Sequence, residues 1–303
     1  MSNLVRVIVL ALVQGATELF PVSSVGHAVI VPGLLQWGDI QNSQNFVALL
    51  VMLHLGTAVA LLTFFWRDWI ALLRGGARVV IAGRFTPDVD PQGYGRQLAL
   101  IVVGTIPAGL VGVIFQKYIE AGFSIPILAC AFLVMNGAVL LFGELLWRRQ
   151  RARALLTRGV KDPSVGDGKS INEMTFWQAA AVGACQIGAL IPGFSRSGLT
   201  MVGGMATGLS HEASARFSFL LATPIILGAG VIEVPKLLHY QSELLTAAAG
   251  GVVAGITAYL SVRFLMKYFE TNRLDPFAYY CVVAGTLGFL YFALVTFKVI
   301  PAL

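Results

Sequence analysis

Two polar stretches in this chain hold residue types that could do phosphate chemistry: 14–27, QGATELFPVSSVGH, and 186–198, QIGALIPGFSRSG. Between them they carry a carboxylate (Glu18), a histidine (His27), an arginine (Arg196) and four serines (Ser23, Ser24, Ser195, Ser197). Ionisable groups set among apolar residues at membrane depth are costly, and when present they usually face a cavity. Gln14 and Glu18 are four apart and share a helix face, and Pro21 then stops that helix. Such a carboxylate can hold a divalent cation through oxygen, with Gln14 as a neutral second ligand, or serve as a general base. It can also hydrogen-bond the broken backbone of its own segment. Ser24, three residues before His27 and six after Glu18, supplies the nucleophile of a nucleophile, base and orienting-group set. Serines at such breaks also cap helices.

The second stretch has the makeup of an anion cradle. Gly193 and Gly198 free the backbone to turn N–H groups inward, and Ser195 and Ser197 add hydroxyl donors. Arg196 adds a fork of donors that matches phosphate oxygens. Thr17, beside Glu18, joins Ser23, Ser195, Ser197, Gly193 and Gly198 as a substrate-binding candidate. His54 stands alone in an apolar run and reads as a satisfied core histidine. The two stretches are expected to meet in one phosphate-handling site.

The elements that must position them are membrane helices. The 303 residues are 57% hydrophobic and 12% charged, with mean hydropathy +0.78, against about 25% charged in a soluble domain. Runs at 46–66, 98–116, 125–147, 217–234, 244–265 and 277–297 are long enough to cross the ~30 Å of hydrocarbon. The net charge of +6 lies in short loops beside these runs, 67–96 and 148–173, and at Lys267 and Arg273. That is the pattern of the positive-inside rule rather than of nucleic-acid binding. Residues 69–82 read as an interfacial helix, too basic to cross. With the basic loops in the cytoplasm, 117–124, 236–243 and the C-terminus fall outside. The apolar but interrupted stretches 4–35 and 175–209 must then enter and leave on one side each.

The fold class expected is therefore an all-α polytopic membrane protein with an inverted-topology repeat. Each half, 1–147 and 174–303, is one re-entrant helical hairpin plus three transmembrane helices, joined by a cytoplasmic basic linker at 148–173. The apolar run 4–13 leads into Glu18, Pro21 and His27 rather than a small-residue cleavage site, so it is not expected to be a removable signal. Cys130, Cys185 and Cys281 have no metal spacing and read as small core hydrophobes. Glu144, Glu212, Arg216, Glu233 and Arg263, near span ends, read as anchors or local pairs.

At QGATELFPVSSVGH, at LIPGFSRSG with the following MVGGMATG, and at FSFLLATP, the chain resembles the undecaprenyl-diphosphatase family of bacterial inner membranes, the bacitracin-resistance type. The resemblance implies hydrolysis of undecaprenyl diphosphate to undecaprenyl phosphate and inorganic phosphate, recycling the lipid carrier for cell-wall synthesis. It also implies an inverted-repeat bundle, dependence on a divalent cation (Mg2+ or Ca2+) and a site opening to the periplasmic face. Glu18 matches the family's essential glutamate, Ser24 its proposed nucleophile, His27 the motif histidine and Arg196 the phosphate-binding arginine. Gln14 stands where the family often has glutamate, which weakens a two-carboxylate metal site, and Val25 stands where it often has threonine, which removes a hydroxyl that could help hold phosphate. Undecaprenyl diphosphate and the bilayer are the partners implied, and homo-oligomerisation stays open. The competing reading is a transporter or flippase for a lipid phosphate or other anion, since broken helices in inverted repeats are a transporter architecture. The Glu18, Ser24 and His27 grouping favours an enzyme.

Overall fold

The computed structural model describes residues 3–41, 46–115, 125–158, 168–238 and 241–298. In chain order the helices are α1 (Asn3–Thr17), α2 (Ser24–Leu34), α3 (Gly38–Gln41), α4 (Phe46–Phe64), α5 (Trp66–Ala82), α6 (Tyr94–Ile114) and α7 (Pro126–Arg158). A 3-10 turn at Ile171–Glu173 precedes α8 (Phe176–Gly188), α9 (Arg196–Ala206), α10 (His211–Leu238), α11 (Gln241–Tyr268) and α12 (Asp275–Thr296). The protein is an all-helical, polytopic membrane protein. Among the described residues, α4, α6, α7, α10, α11 and α12 are long and apolar enough to cross a bilayer.

These six coincide with the six runs expected from hydropathy. Several of them, α7, α10 and α11 at the C-terminal end and α6, α10, α11 and α12 at the N-terminal end, extend past the apolar runs because helical hydrogen bonding does not stop where the hydrocarbon does. The clearest case is α7, which continues to Arg158 through the stretch taken from sequence as a linker starting at 148. Its Arg, Gln, Ala and Leu residues are good helix formers even in water. The remainder of that linker at 159–167, and the outer connections at 117–124 and 239–240, lie outside the described residues. So does the side chain of Glu233. Helix α5 is the expected amphipathic element: it buries Leu72, Gly75, Gly76 and Val79 and exposes its arginine-bearing face.

The two interrupted stretches form helical hairpins. At ~1.5 Å per residue, the 15 residues of α1 and the 13 of α8 reach about 22 and 20 Å, short of the ~30 Å hydrocarbon thickness. Helix α1 turns back onto α2 through residues 18–23, and α8 onto α9 through 189–195. Each hairpin is seated on a long helix from the other half of the chain, α1 along α11 and α8 along α6. Both seams are backbone against backbone. A Cβ on Gly15 would lie 2.4 Å from the Ala254 carbonyl oxygen, and one on Gly183 would lie 2.0 Å from that of Gly104. Along the middle, α4 packs on α10 and α11, and α7 on α12.

At one end of the bundle, buried Glu144 accepts from Arg148 Nε (3.1 Å) and pairs with His211 Nε2 (2.8 Å), and Arg148 also pairs with Asp275. Arg216 pairs with Asp68, joining α10 to α5. Both Glu144 and Arg216 are thus members of local ion pairs. Cys130 and Cys281 are buried in the core and Cys185 is half-buried.

Candidate active site

The hairpin turns meet in the interior and enclose a cavity of about 90 Å³ whose polar lining is Glu18, Ser23, Ser24, His54, Gln186, Ser195 and Arg196. Both turns are built alike. Ser23 caps α2 by accepting from Gly26 N–H at 3.1 Å, and Ser195 caps α9 by accepting from Gly198 N–H at 3.1 Å. A capped N-terminus orients the next residue, and that residue is Ser24 in one hairpin and Arg196 in the other. Ser23 adopts the left-handed region (φ 67°), a cost of ~1–3 kcal/mol for a non-glycine residue. It is held there because its hydroxyl also accepts from Gly193 N–H (3.2 Å) and its carbonyl accepts from His27 Nδ1 (2.7 Å). Gly193 has to be glycine on two counts: φ is 108°, and a Cβ would lie 2.3 Å from the Ala129 carbonyl oxygen.

Glu18 is the centre of the site. It is 4% exposed, and every donor around it points at its carboxylate. Gln14 Nε2 donates to Oε2 at 2.7 Å, as does Ser24 Oγ at 2.5 Å. Arg196 donates through one guanidinium nitrogen to Oε1. Its other terminal nitrogen is buried without a hydrogen-bond partner. A guanidinium N–H with no partner in the structure keeps the capacity to donate to an anion.

His54 overturns its expected role. It reaches this cavity from α4, with Nδ1 bonded to Leu50 O at 2.7 Å and Nε2 3.2 Å from Glu18 Oε2. With Nδ1–H directed at the Leu50 carbonyl, contact between Nε2 and the carboxylate needs a second proton between them, so the pair can hold or pass one. His27 is turned the other way. Its Nε2 pairs with Tyr280 of α12 at 2.7 Å, and the two rings stack with centroids 5.7 Å apart. Both of its nitrogens are engaged away from Ser24, whose hydroxyl is directed at Glu18 instead.

The rest of the expected cradle is differently employed. Gly193 N–H and Gly198 N–H point at the serine hydroxyls, and the Ser197 hydroxyl donates to Phe20 O at 3.0 Å, with Ser195 Oγ 3.0 Å from Ser197 Oγ. Gly193 N–H and the Ser197 hydroxyl brace one hairpin against the other, while Gly198 N–H is used in the cap of its own helix. Thr17 directs its hydroxyl to Val13 O in its own helix, at 2.7 Å.

The donor set around Glu18 does not fit the divalent cation expected on Glu18 and Gln14. Mg2+ or Ca2+ takes six or more oxygens at about 2.0–2.6 Å. Here the single carboxylate lining the cavity already accepts from three N–H donors and a hydroxyl, one of them a guanidinium, and Gln14 presents its nitrogen to it. Among the described residues no group of three His, Cys, Asp or Glu could hold a metal.

An all-helical, multi-pass membrane protein with two polar hairpins closing on one interior cavity is the class defined by these features. The chain belongs to the family of the bacitracin resistance protein BacA, whose model matches residues 7–287. It is 48% identical over 299 residues to an undecaprenyl-diphosphatase of Granulibacter bethesdensis, covering 96% of this chain and 98% of that one. The same identity and coverage hold for an undecaprenyl-diphosphatase of Acidiphilium cryptum. Undecaprenyl-diphosphatase 2 of Burkholderia lata is 46% identical over 94% of this chain and 95% of its own.

Proposed function

We propose that the protein is a bacterial inner-membrane phosphatase that hydrolyses undecaprenyl diphosphate to undecaprenyl phosphate and inorganic phosphate. The observation that carries this reading is the junction of Ser24 Oγ with Glu18 at 2.5 Å, beside an Arg196 nitrogen that has no partner. A hydroxyl directed at a carboxylate is an activated nucleophile, and a free guanidinium donor is what a phosphoryl group in flight requires.

In the mechanism, Ser24 Oγ passes its proton to Glu18 as it forms a bond to the terminal phosphorus. The bridging P–O bond breaks, and its electron pair leaves on the prenyl phosphate. Water then cleaves the phosphoseryl ester, giving up a proton and returning the serine hydroxyl. Arg196 stabilises the equatorial oxygens, and His54 adjusts the protonation of Glu18.

The prenyl chain leaves across the α6–α10 seam. Ala108 and Ile225 wall the polar cavity, while their chain neighbours Gly109 and Pro224 line an apolar groove of about 400 Å³ together with Trp69, Leu98, Ile101 and Ile106. The two halves are read as inverted repeats, supported by the matched serine caps and by the way α1 on α11 mirrors α8 on α6. The loop charges and the resemblance support an opening to the periplasm.

The test is phosphate release from prenyl diphosphate by the detergent-purified protein beside Ser24→Ala, with acid quenching to trap phosphate on the enzyme. Release together with labelled Ser24 is expected. Turnover by Ser24→Ala at a near-normal rate would make water the nucleophile. No release from folded protein would turn the reading to lipid-phosphate transport, measured next across vesicles.

A further inference from the structure

Helix α7 is apolar from residue 125 to 142 except at Asn136, which is fully buried. Its side-chain amide reaches both hairpin turns at once. Nδ2 donates to the Pro21 carbonyl at 2.9 Å, and Oδ1 accepts from the Ser195 backbone N–H at 2.9 Å. The orientation of the amide is unambiguous, because a carbonyl only accepts and an N–H only donates. Pro21 lies midway between Glu18 and Ser24, and Ser195 is the cap immediately before Arg196. Other bonds also join the turns to each other, such as Ser197 Oγ to Phe20 O. The Asn136 pair is different in kind, because it ties both turns to a third element. That element is rigidly backed: a Cβ on Gly137 would lie 2.7 Å from the Ala278 carbonyl oxygen, so α7 and α12 touch at the backbone beside Asn136. Cys281 Sγ closes the pocket behind the amide, 3.4 Å from Nδ2.

We infer that Asn136 is a positioning residue, which sets the Glu18 and Ser24 turn at a fixed distance and angle from Arg196. This rests on the hydrolytic reading of the site. The nucleophile and the guanidinium come from separate hairpins, so their mutual placement is a tertiary property, and small misplacements of reacting groups cost large factors in rate. A merely structural amide would affect folding alone. A positioning amide acts on kcat and acts through Arg196.

The experiment compares unmodified protein, Asn136→Leu and Asn136→Asp in kcat and KM for prenyl diphosphate, with heat stability recorded for each. Asn136→Leu removes the bonds to both hairpin turns together with the weaker one to Cys281 Sγ. Asn136→Asp keeps the acceptor for Ser195 and loses the donor to Pro21, so it remains informative if the leucine variant does not fold. Both are expected to lower kcat, Asn136→Leu by about 10- to 100-fold, with little change in KM. Combined with Arg196→Lys, Asn136→Leu should cost less than the product of the two separate losses, because residues in one network are not additive. Unchanged kcat in either Asn136 variant, or losses that multiply fully, would overturn the inference while leaving the hydrolase reading intact. Absence of activity in unmodified, folded protein would overturn both.

Discussion

Replacing Arg196 by alanine separates the two duties of that side chain. One guanidinium nitrogen holds Glu18, and the other, buried and without a partner, is in the proposed mechanism the donor to phosphate. For the folded protein the loss is moderated. Breaking a buried ion pair by removing one partner costs about 3–5 kcal/mol when the remaining charge is left bare. Glu18 would keep Gln14, Ser24 and His54 around its carboxylate, so the actual cost should fall below that range. For the reaction nothing replaces it. An arginine stabilising a transferring phosphoryl group is worth about 10³–10⁵ in rate, or ~4–7 kcal/mol of barrier at 1.36 kcal/mol per decade. Arg196→Ala should therefore elute and melt as a folded protein and lose at least about a thousandfold in kcat, while Arg196→Lys, a point charge without the fork, recovers part of it. The assay is phosphate release under substrate saturation, so that weakened binding does not pass for lost chemistry. An alanine variant within about tenfold of the unmodified rate would refute the assignment, because no arginine in contact with the phosphoryl group could be worth so little.

Three further outcomes follow from the geometry. His54→Leu should lower kcat by about 10- to 100-fold, the range of an acid–base partner, and an unchanged rate would return His54 to a packing role. Chelation by EDTA should leave most of the activity in place, since the donors on Glu18 leave no oxygen cage to empty. Activity lost on chelation and restored by Mg2+ or Ca2+ would show that the carboxylate rearranges around a cation. Gly109→Trp should raise KM for the undecaprenyl substrate and spare a short prenyl diphosphate: a Cβ at Gly109 meets nothing within 4 Å, so the ring fills the groove without disturbing the helices. Equal KM changes for both substrates would remove the tail from that groove.

The spans were legible because their apolar lengths leave no other home for them. The hairpins were legible because each apolar stretch is cut by a polar, Pro- and Gly-containing turn. Glu18, Ser24 and Arg196 came together as expected, since polar residues in an apolar chain have few places to go other than to one another. The errors concern partners far away in the chain. His54 looked solitary, yet the contact that defines it comes from a residue 36 positions earlier on another helix. His27 looked like the neighbour of Ser24, but Tyr280 lies within hydrogen-bond reach of its ring and Ser24 is turned to Glu18. The glycine amides looked free for an anion because the serines that accept from them cap the turns, one of them from the opposite hairpin. Asn136 carried the one readable hint, a lone amide in an apolar span, but not the identity of what it holds.

The bare-backbone seams beneath the hairpins, Gly15 on Ala254 and Gly183 on Gly104, have a mechanical consequence. Each hairpin rides on a helix of the opposite half, so a rocking motion of one half against the other would carry the first half's hairpin with the second half, and the reverse. The two would be pulled through each other rather than apart, against seams where backbone meets backbone at Gly15 and Gly183. Such an interlock resists the swing by which a carrier exposes its site to alternate faces. It suits a fixed reaction chamber that a lipid enters edgewise, head first, with its tail still in the bilayer.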